Sequence, residues 1–183
     1  MPTKIFALKI ALLILVLVGC DELVSVNDES QFEAPPPTVV NTPIPFDDVE
    51  MGRVVRVVDG DTIEVELNGR VVDVRYVGVN TPERDEVCYS EATQANADRV
   101  AGQTVRLVQD VSDTDRFDRL LRYIYVGDTF VNRELIVGGY AEAVLYEPDD
   151  RYFDEFSQLE QQAARSDRGC HPTGIFDDNN RER

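Results

Sequence analysis

The chain predicts a mainly β fold with helices, an OB-type barrel of five short strands carrying three helices. Two observations lead there: β-branched runs come in short lengths separated by turn dipeptides, and helical patterns fall only after the third and fifth of them. Val54 to Val58 and Ile63 to Leu67 are broken at Asp59-Gly60, and Asn68-Gly69, a strong two-residue hairpin signal, leads into Val71 to Val77. Ser90 can cap a helix that ends at Gly102, with Ala92, Ala95 and Val100 inward. Val105 to Val108 reads as a fourth strand and Leu120 to Val126 as a fifth, turned at Gly127-Asp128. Asn132 can cap a short helix through Val137, closed by Gly138-Gly139. The last helix starts near Asp149 and sets Phe153, Phe156, Leu159 and Ala163 on one face, the spacing of a stripe docked on a sheet.

Four segments precede, form and follow this domain. Residues 1–20 read as an export signal, because Lys4 and Lys9 precede an apolar run, Ile10 to Val18, too short to span a bilayer. The run ends Leu17-Val18-Gly19-Cys20, which resembles a bacterial lipobox and implies lipidation of Cys20; a plain transmembrane anchor is the alternative. Either reading makes the protein exported, in the cell envelope, with a membrane as partner. Residues 21–50 hold eight acidic residues, no basic one, and Pro35-Pro36-Pro37, so they cannot bury enough apolar surface to offset ordering and read as a disordered tether. Residues 51–170 form one domain with a single core, expected to be monomeric, and 171–183 a polar tail.

Chemistry concentrates in three spaced motifs. Asp59-Gly60-Asp61-Thr62 sits where a strand breaks, and the glycine is expected at positive φ so that the acidic side chain can face a metal. Arg75 follows within Val74 to Val79, then Asn80-Thr81-Pro82-Glu83, in which the proline stiffens the backbone beside a carboxylate. Arg119 ends Asp115-Arg116-Phe117-Asp118-Arg119 ahead of the fifth strand. Carboxylates bind a hard cation and activate water, while arginine forks match phosphate oxygens. Without that context Arg75 reads as an exposed strand arginine paired with Asp73. Asp61 is the expected ligand of a hard cation, because no His/Cys cluster exists to hold zinc.

Taken in order, from Gly52 to Ser166, these motifs resemble the thermonuclease family, the staphylococcal-nuclease-like proteins. The resemblance implies the same OB fold and a calcium-dependent endonuclease that cleaves DNA and RNA with little sequence preference, leaving 3′-phosphates. It implies Arg75, Glu83 and Arg119 as catalytic residues, with Glu83 the base, and one calcium ion held by Asp61, Asn80 and the carbonyl of Thr81. Where the staphylococcal type has a second aspartate this chain has Asn80, so metal affinity is expected to fall and an aspartate there to tighten it. Arg116, Phe117 and Tyr146 correspond to substrate-contacting positions, the aromatic rings stacking on bases; Val144 replaces a second tyrosine of that pocket. The competing class is a non-catalytic OB module that binds single-stranded nucleic acid or an envelope partner.

Charge argues against a generic nucleic-acid binder. The chain has 35 acidic and 18 basic residues, a net charge of −17, so long-range attraction to a polyanion is absent and binding must come from local arginines and metal. Every basic residue after Lys9 is an arginine. An acidic, lysine-free exported domain suits a high-salt habitat, and genome composition alone gives the same bias.

Of three cysteines, Cys20 is assigned to lipid, which leaves Cys88 and Cys170 as a pair in an oxidising compartment, or as two thiols. His171, the sole histidine, reads as surface. Cys20→Ser is expected to abolish incorporation of radiolabelled fatty acid and leave the precursor unprocessed, as a shift in gel mobility would show.

Overall fold

The computed structural model describes residues 49–177; the export signal, Cys20, the tether up to residue 48 and the last six residues lie outside them. In chain order the elements are β1 (Val49–Val57), β2 (Thr62–Leu67), β3 (Arg70–Tyr76), β4 (Val79–Asn80), α1 (Tyr89–Val100), β5 (Thr104–Val108), β6 (Leu120–Val126), β7 (Thr129–Phe130), α2 (Val131–Val137), β8 (Glu142–Ala143) and α3 (Phe153–Arg165). Val49 and Glu50 therefore belong to the first strand and not to the tether.

The first three strands form an antiparallel meander, and the turn between β2 and β3 is the one the Asn68-Gly69 pair dictates, with φ of 53° and 77°. β5 returns along β1, β6 pairs with β5, and β6 then meets β3 in parallel, Val74 beside Leu120 and Arg75 beside Leu121. That last pairing closes the five-stranded barrel. Its interior is filled by alternating residues such as Ile63, Val65, Val74, Leu107 and Ile124, all fully buried, with Leu135 and Ile136 of α2 and Phe156 of α3 packed onto it. Each such side chain contributes about 1.5–3 kcal/mol by leaving water. β7 extends β6, and β4 pairs with β8 in a separate two-residue ladder that the sequence pattern is too short to signal.

Helix starts differ from expectation. Ser90 lies inside α1, whose N-cap is Cys88 with φ 72° and no capping side chain. Asn132 lies inside α2 and caps nothing: it is fully buried, accepts the Ile124 N–H at 2.9 Å and donates to the Val77 carbonyl at 2.9 Å. Its amide therefore bridges the barrel to the segment after β3, a use that outweighs capping. α3 starts at Phe153 and not near Asp149. The Asp149 carboxylate is taken up elsewhere, accepting the N–H groups of Val111 and Ser112 at 2.8 Å each. On α3, Phe156 and Ala163 are buried, Leu159 packs on the core and Phe153 is half-buried.

The chain does not become a loose tail after residue 170. A 3₁₀ turn covers His171–Thr173 and Phe176 is buried, so the fold extends at least that far. His171 is half-buried, its ring edge-on to Phe176, and burial lowers its pKa. Cys88 and Cys170 are joined in a disulfide, their Cα atoms 5.7 Å apart across 82 residues of chain. Closing a loop of that length contributes about 4 kcal/mol in the chain-entropy account. The double variant Cys88→Ser/Cys170→Ser is expected to lose about that much in urea unfolding; a midpoint equal to that of the oxidised wild type would show that the bridge contributes nothing.

Candidate active site

The site is built at the end of the β1–β2 hairpin. Asp59 starts the turn, its Oδ1 accepting the Asp61 N–H at 3.1 Å, and the N–H groups of Val58 and Asp59 both reach the Thr62 carbonyl. The fully buried Asn96 on α1 secures this turn from below, donating to the Asp59 carbonyl at 2.9 Å and accepting from the Tyr76 hydroxyl at 2.9 Å. Gly60 is not at positive φ, contrary to the sequence expectation. Its requirement is steric: a Cβ there would stand 2.6–2.8 Å from the Thr81 side chain. The glycine lets the Asn80-Thr81 segment lie directly on the hairpin.

That close approach joins two motifs. Asp61 is 5% exposed, and its Oδ2 accepts both the backbone N–H of Thr81 at 2.8 Å and the Thr81 hydroxyl at 2.9 Å. Its Oδ1 faces the Thr62 hydroxyl at 3.3 Å and the Arg75 Nε at 3.2 Å. Arg75 thus pairs with Asp61 and not with Asp73. Its Nη1 donates to the carbonyls of Tyr76 and Val79 at 2.7 and 2.8 Å, and its Nη2 to the Asn80 Oδ1 at 3.1 Å. Four of the five guanidinium N–H groups are therefore committed, which leaves one on Nη2. Breaking such a pair from one side exposes an uncompensated buried charge and costs about 3–5 kcal/mol.

Electrostatic crowding follows from two carboxylates on one turn. Burial, and then the charge of Asp61, push the Asp59 carboxyl up to about 6, against the Asp61 N–H and Arg75, which pull it down. Negative charge at this end of the barrel is under-compensated, a setting that favours a cation. The oxygen donors of Asp61, Asn80 and Thr81 suit a hard one. Each Asp61 oxygen has one hydroxyl among its partners, Thr62 on Oδ1 and Thr81 on Oδ2, and a hydroxyl can rotate away to free a lone pair. The donor set fits a hard cation, though sparingly: among the described residues no three His, Cys, Asp or Glu side chains cluster.

Glu83, two residues beyond Thr81, is exposed. Its backbone is held by a reciprocal turn with Glu86, and no hydrogen bond or ion pair among the described residues reaches its carboxylate. Arg119 comes to the same strand ends because β6 runs parallel to β3. Asp115 organises that loop: its carboxylate accepts the N–H groups of Phe117 and Arg119 at 2.8 and 3.0 Å and pairs with the Arg119 Nε at 2.7 Å. Burial would raise the Asp115 pKa, yet those donors hold it below the usual range. Among the described residues nothing engages the terminal N–H groups of Arg119. Phe117 is 63% exposed, flanked by the guanidinium carbons of Arg116 and Arg119 at 4.8 and 5.5 Å from its ring centre, and Tyr146 is exposed on the loop after β8.

Three buried polar residues that the sequence reading did not single out for a role shape the site. Asn96 holds the Asp59 turn. Asp149 ties the strand-end loop at Val111 and Ser112 to the loop carrying Tyr146. Glu142, fully buried on β8, accepts the Asn80 side-chain N–H at 3.1 Å. The β4–β8 ladder pairs Asn80 with Glu142, and neither short strand has a pattern that could have announced it.

A closed barrel that assembles a buried carboxylate, two arginines and an unpaired glutamate at one rim has the equipment of a phosphodiester hydrolase. The family described as Staphylococcal nuclease homologue matches residues 73–170, and the chain belongs to that family: it is a nuclease. It is 34% identical over 119 residues to the thermonuclease of Staphylococcus hyicus, an alignment covering 62% of this chain and 70% of that one. It is 40% identical over 121 residues to endonuclease YncB of Bacillus subtilis (strain 168), 62% of this chain and 57% of that one. With the SPbeta prophage-derived endonuclease YokF of the same strain the identity is 40% over 116 residues, 59% of this chain and 39% of the relative.

Gly60→Ala tests the contact that joins the motifs. The added methyl must displace Thr81 and loosen its two hydrogen bonds to Asp61, so nuclease activity is expected to fall at least about tenfold and stability by about 1–3 kcal/mol; wild-type turnover in this variant would show that the close approach is dispensable.

Proposed function

We propose that the chain is a calcium-dependent endonuclease that hydrolyses DNA and RNA with little sequence preference, leaving 3′-phosphate ends. The observation that carries this is the Thr81-Pro82-Glu83 segment. Its first residue grips the buried Asp61 carboxylate, while its last, two residues on, offers an exposed carboxylate that no other described residue engages.

In this reading Glu83 takes the proton of the attacking water, a role worth roughly 10² to 10⁴ in rate. Arg75, with one N–H uncommitted, and Arg119, with its terminal N–H groups open, bind the phosphoryl oxygens as charge accumulates there. Asp61, the Asn80 side-chain oxygen and the Thr81 carbonyl would hold a calcium ion. A bound ion there supplies positive charge to the phosphoryl oxygens and the water. Phe117 and Tyr146 stack on bases, at about 1–3 kcal/mol per base, which every base accepts equally; Arg116 adds charge beside them. An acidic domain gains nothing from long-range steering, so these short-range contacts carry substrate affinity. The protein is monomeric, exported and held at the membrane by lipid on Cys20; the lipobox-like Leu17-Val18-Gly19-Cys20 supports that reading.

The test is digestion of plasmid DNA and of RNA with and without chelator. Wild type is expected to cut both, and removal of calcium to stop it. Glu83→Gln keeps size and removes the proton acceptor, so turnover should drop by on the order of 10² or more, with unfolding unchanged because the side chain is exposed. Wild-type turnover in Glu83→Gln, or no cutting by wild type at any calcium concentration, would sink the proposal.

A further inference from the structure

Position 80 brings a neutral amide to the rim where the staphylococcal type has a second aspartate. The structure shows what stands behind it. β4 and β8 pair Asn80 with Glu142 across a two-residue antiparallel ladder. Asn80 is 2% exposed and Glu142 fully buried, and the Asn80 Nδ2 lies 3.1 Å from the Glu142 Oε1. On its other side the Asn80 Oδ1 lies 3.1 Å from the Arg75 Nη2. A guanidinium can only donate, so the amide must turn its oxygen to Arg75 and its NH₂ to Glu142. The chain Glu142–Asn80–Arg75–Asp61 is therefore continuous, with Arg75 donating outward to Asp61 on one side and to Asn80 on the other, and Asn80 passing the donation on to Glu142.

We propose that Glu142 is a positioning residue of the cation site: it fixes the Asn80 carboxamide with its oxygen toward the Arg75–Asp61 pair, and it carries, one residue further back, the negative charge that position 80 lacks. This rests on the cation-dependent reading above. A carboxylate accepting from an amide N–H polarises that amide and makes its oxygen a better donor of electron density. Placing the charge on β8 keeps it out of contact with Asp59 and Asp61, where one turn already crowds two carboxylates. It also reverses the expectation for Asn80→Asp. With Glu142 in place, an aspartate at position 80 would set two carboxylates beside each other in a dry space, where like charges disfavour each other's ionised form. The substitution helps only if Glu142 is neutralised with it.

The experiment is a double-mutant cycle on the full exported domain with two readouts: calcium affinity by titration calorimetry and thermal unfolding in chelator. The variants are Asn80→Asp, Glu142→Gln and the pair together. Glu142→Gln keeps an acceptor for the Asn80 N–H and removes the charge, and is expected to weaken calcium about tenfold with unfolding close to wild type. Asn80→Asp alone is expected to lower the unfolding temperature and to bind calcium no tighter than wild type. The double variant should recover both properties, with calcium affinity within about threefold of wild type.

Additive effects overturn the proposal, as does Asn80→Asp tightening calcium equally with Glu or Gln at position 142. Full coupling in the metal-free melts with no calcium binding by wild type would remove the proposed cation site. It would leave the pair as a stability element alone, which also overturns its role here. Wild type that binds calcium while the cycle is additive discards this inference and leaves the nuclease reading intact.

Discussion

Everything at the rim depends on the ion pair between Asp61, in the turn that leads into β2, and Arg75 on the adjacent β3, both held at low exposure. A lone buried carboxylate would protonate, and a lone buried guanidinium would drag water into the barrel. Paired, they fix each other and recruit their surroundings. Arg75 collects the Tyr76 and Val79 carbonyls and the Asn80 amide, which bends the chain after β3 back over the hairpin; Asp61 collects Thr81 from the same segment. The path of residues 76–81 is therefore set by these polar contacts together with the burial of Tyr76, Val77 and Val79 in the core, and Glu83 is aimed by whatever holds Thr81.

Much of this was readable from residues alone, for a physical reason. Strand breaks, the Asn68-Gly69 turn and the apolar face of the last helix are local signals, set by φ preferences and by spacing within a few positions. The motif residues stood out by their order and spacing along the chain, since singly each reads as a surface turn or an exposed strand arginine. The polar residues that lock the architecture were not. Ser90 and Asn132 look like caps in any local window, yet Asn132 acts on Ile124 and Val77, eight and fifty-five positions away. Asn96, Asp149 and Glu142 likewise earn their burial through distant partners. Their role is a property of the closed barrel, which no window of sequence contains. Gly60 makes the same point in reverse: the residue was singled out, but its cause is a neighbour twenty-one positions on and not its own dihedral freedom.

The acidity of the chain and the arginines of the rim do not conflict once distance is considered. A net charge of −17 acts through solvent and is screened within a Debye length of about 10 Å at 0.1 M salt. The guanidinium groups of Arg75, Arg116 and Arg119 act at contact, where screening is weak. Such a surface makes encounter slow and salt-tolerant while leaving the bound state governed by the rim. Raised ionic strength relieves the repulsion before it weakens the contacts.

The parallel seam between β3 and β6 gives the protein a history as well as a shape. Val74 can meet Leu120 only after the intervening helix and β5 have been made, and β8, which backs Asn80, follows later still. Pairings so far apart in the chain pay their loop-closure entropy before they are rewarded, so they form late. Asp61, Arg75 and Asn80 come from one side of that seam and Arg119 from the other. A chain interrupted between Asn80 and Arg119 owns the acidic hairpin but neither Arg119 nor the Glu142 that backs Asn80. Assembly of the whole rim therefore waits on the late strands, an order written into the topology.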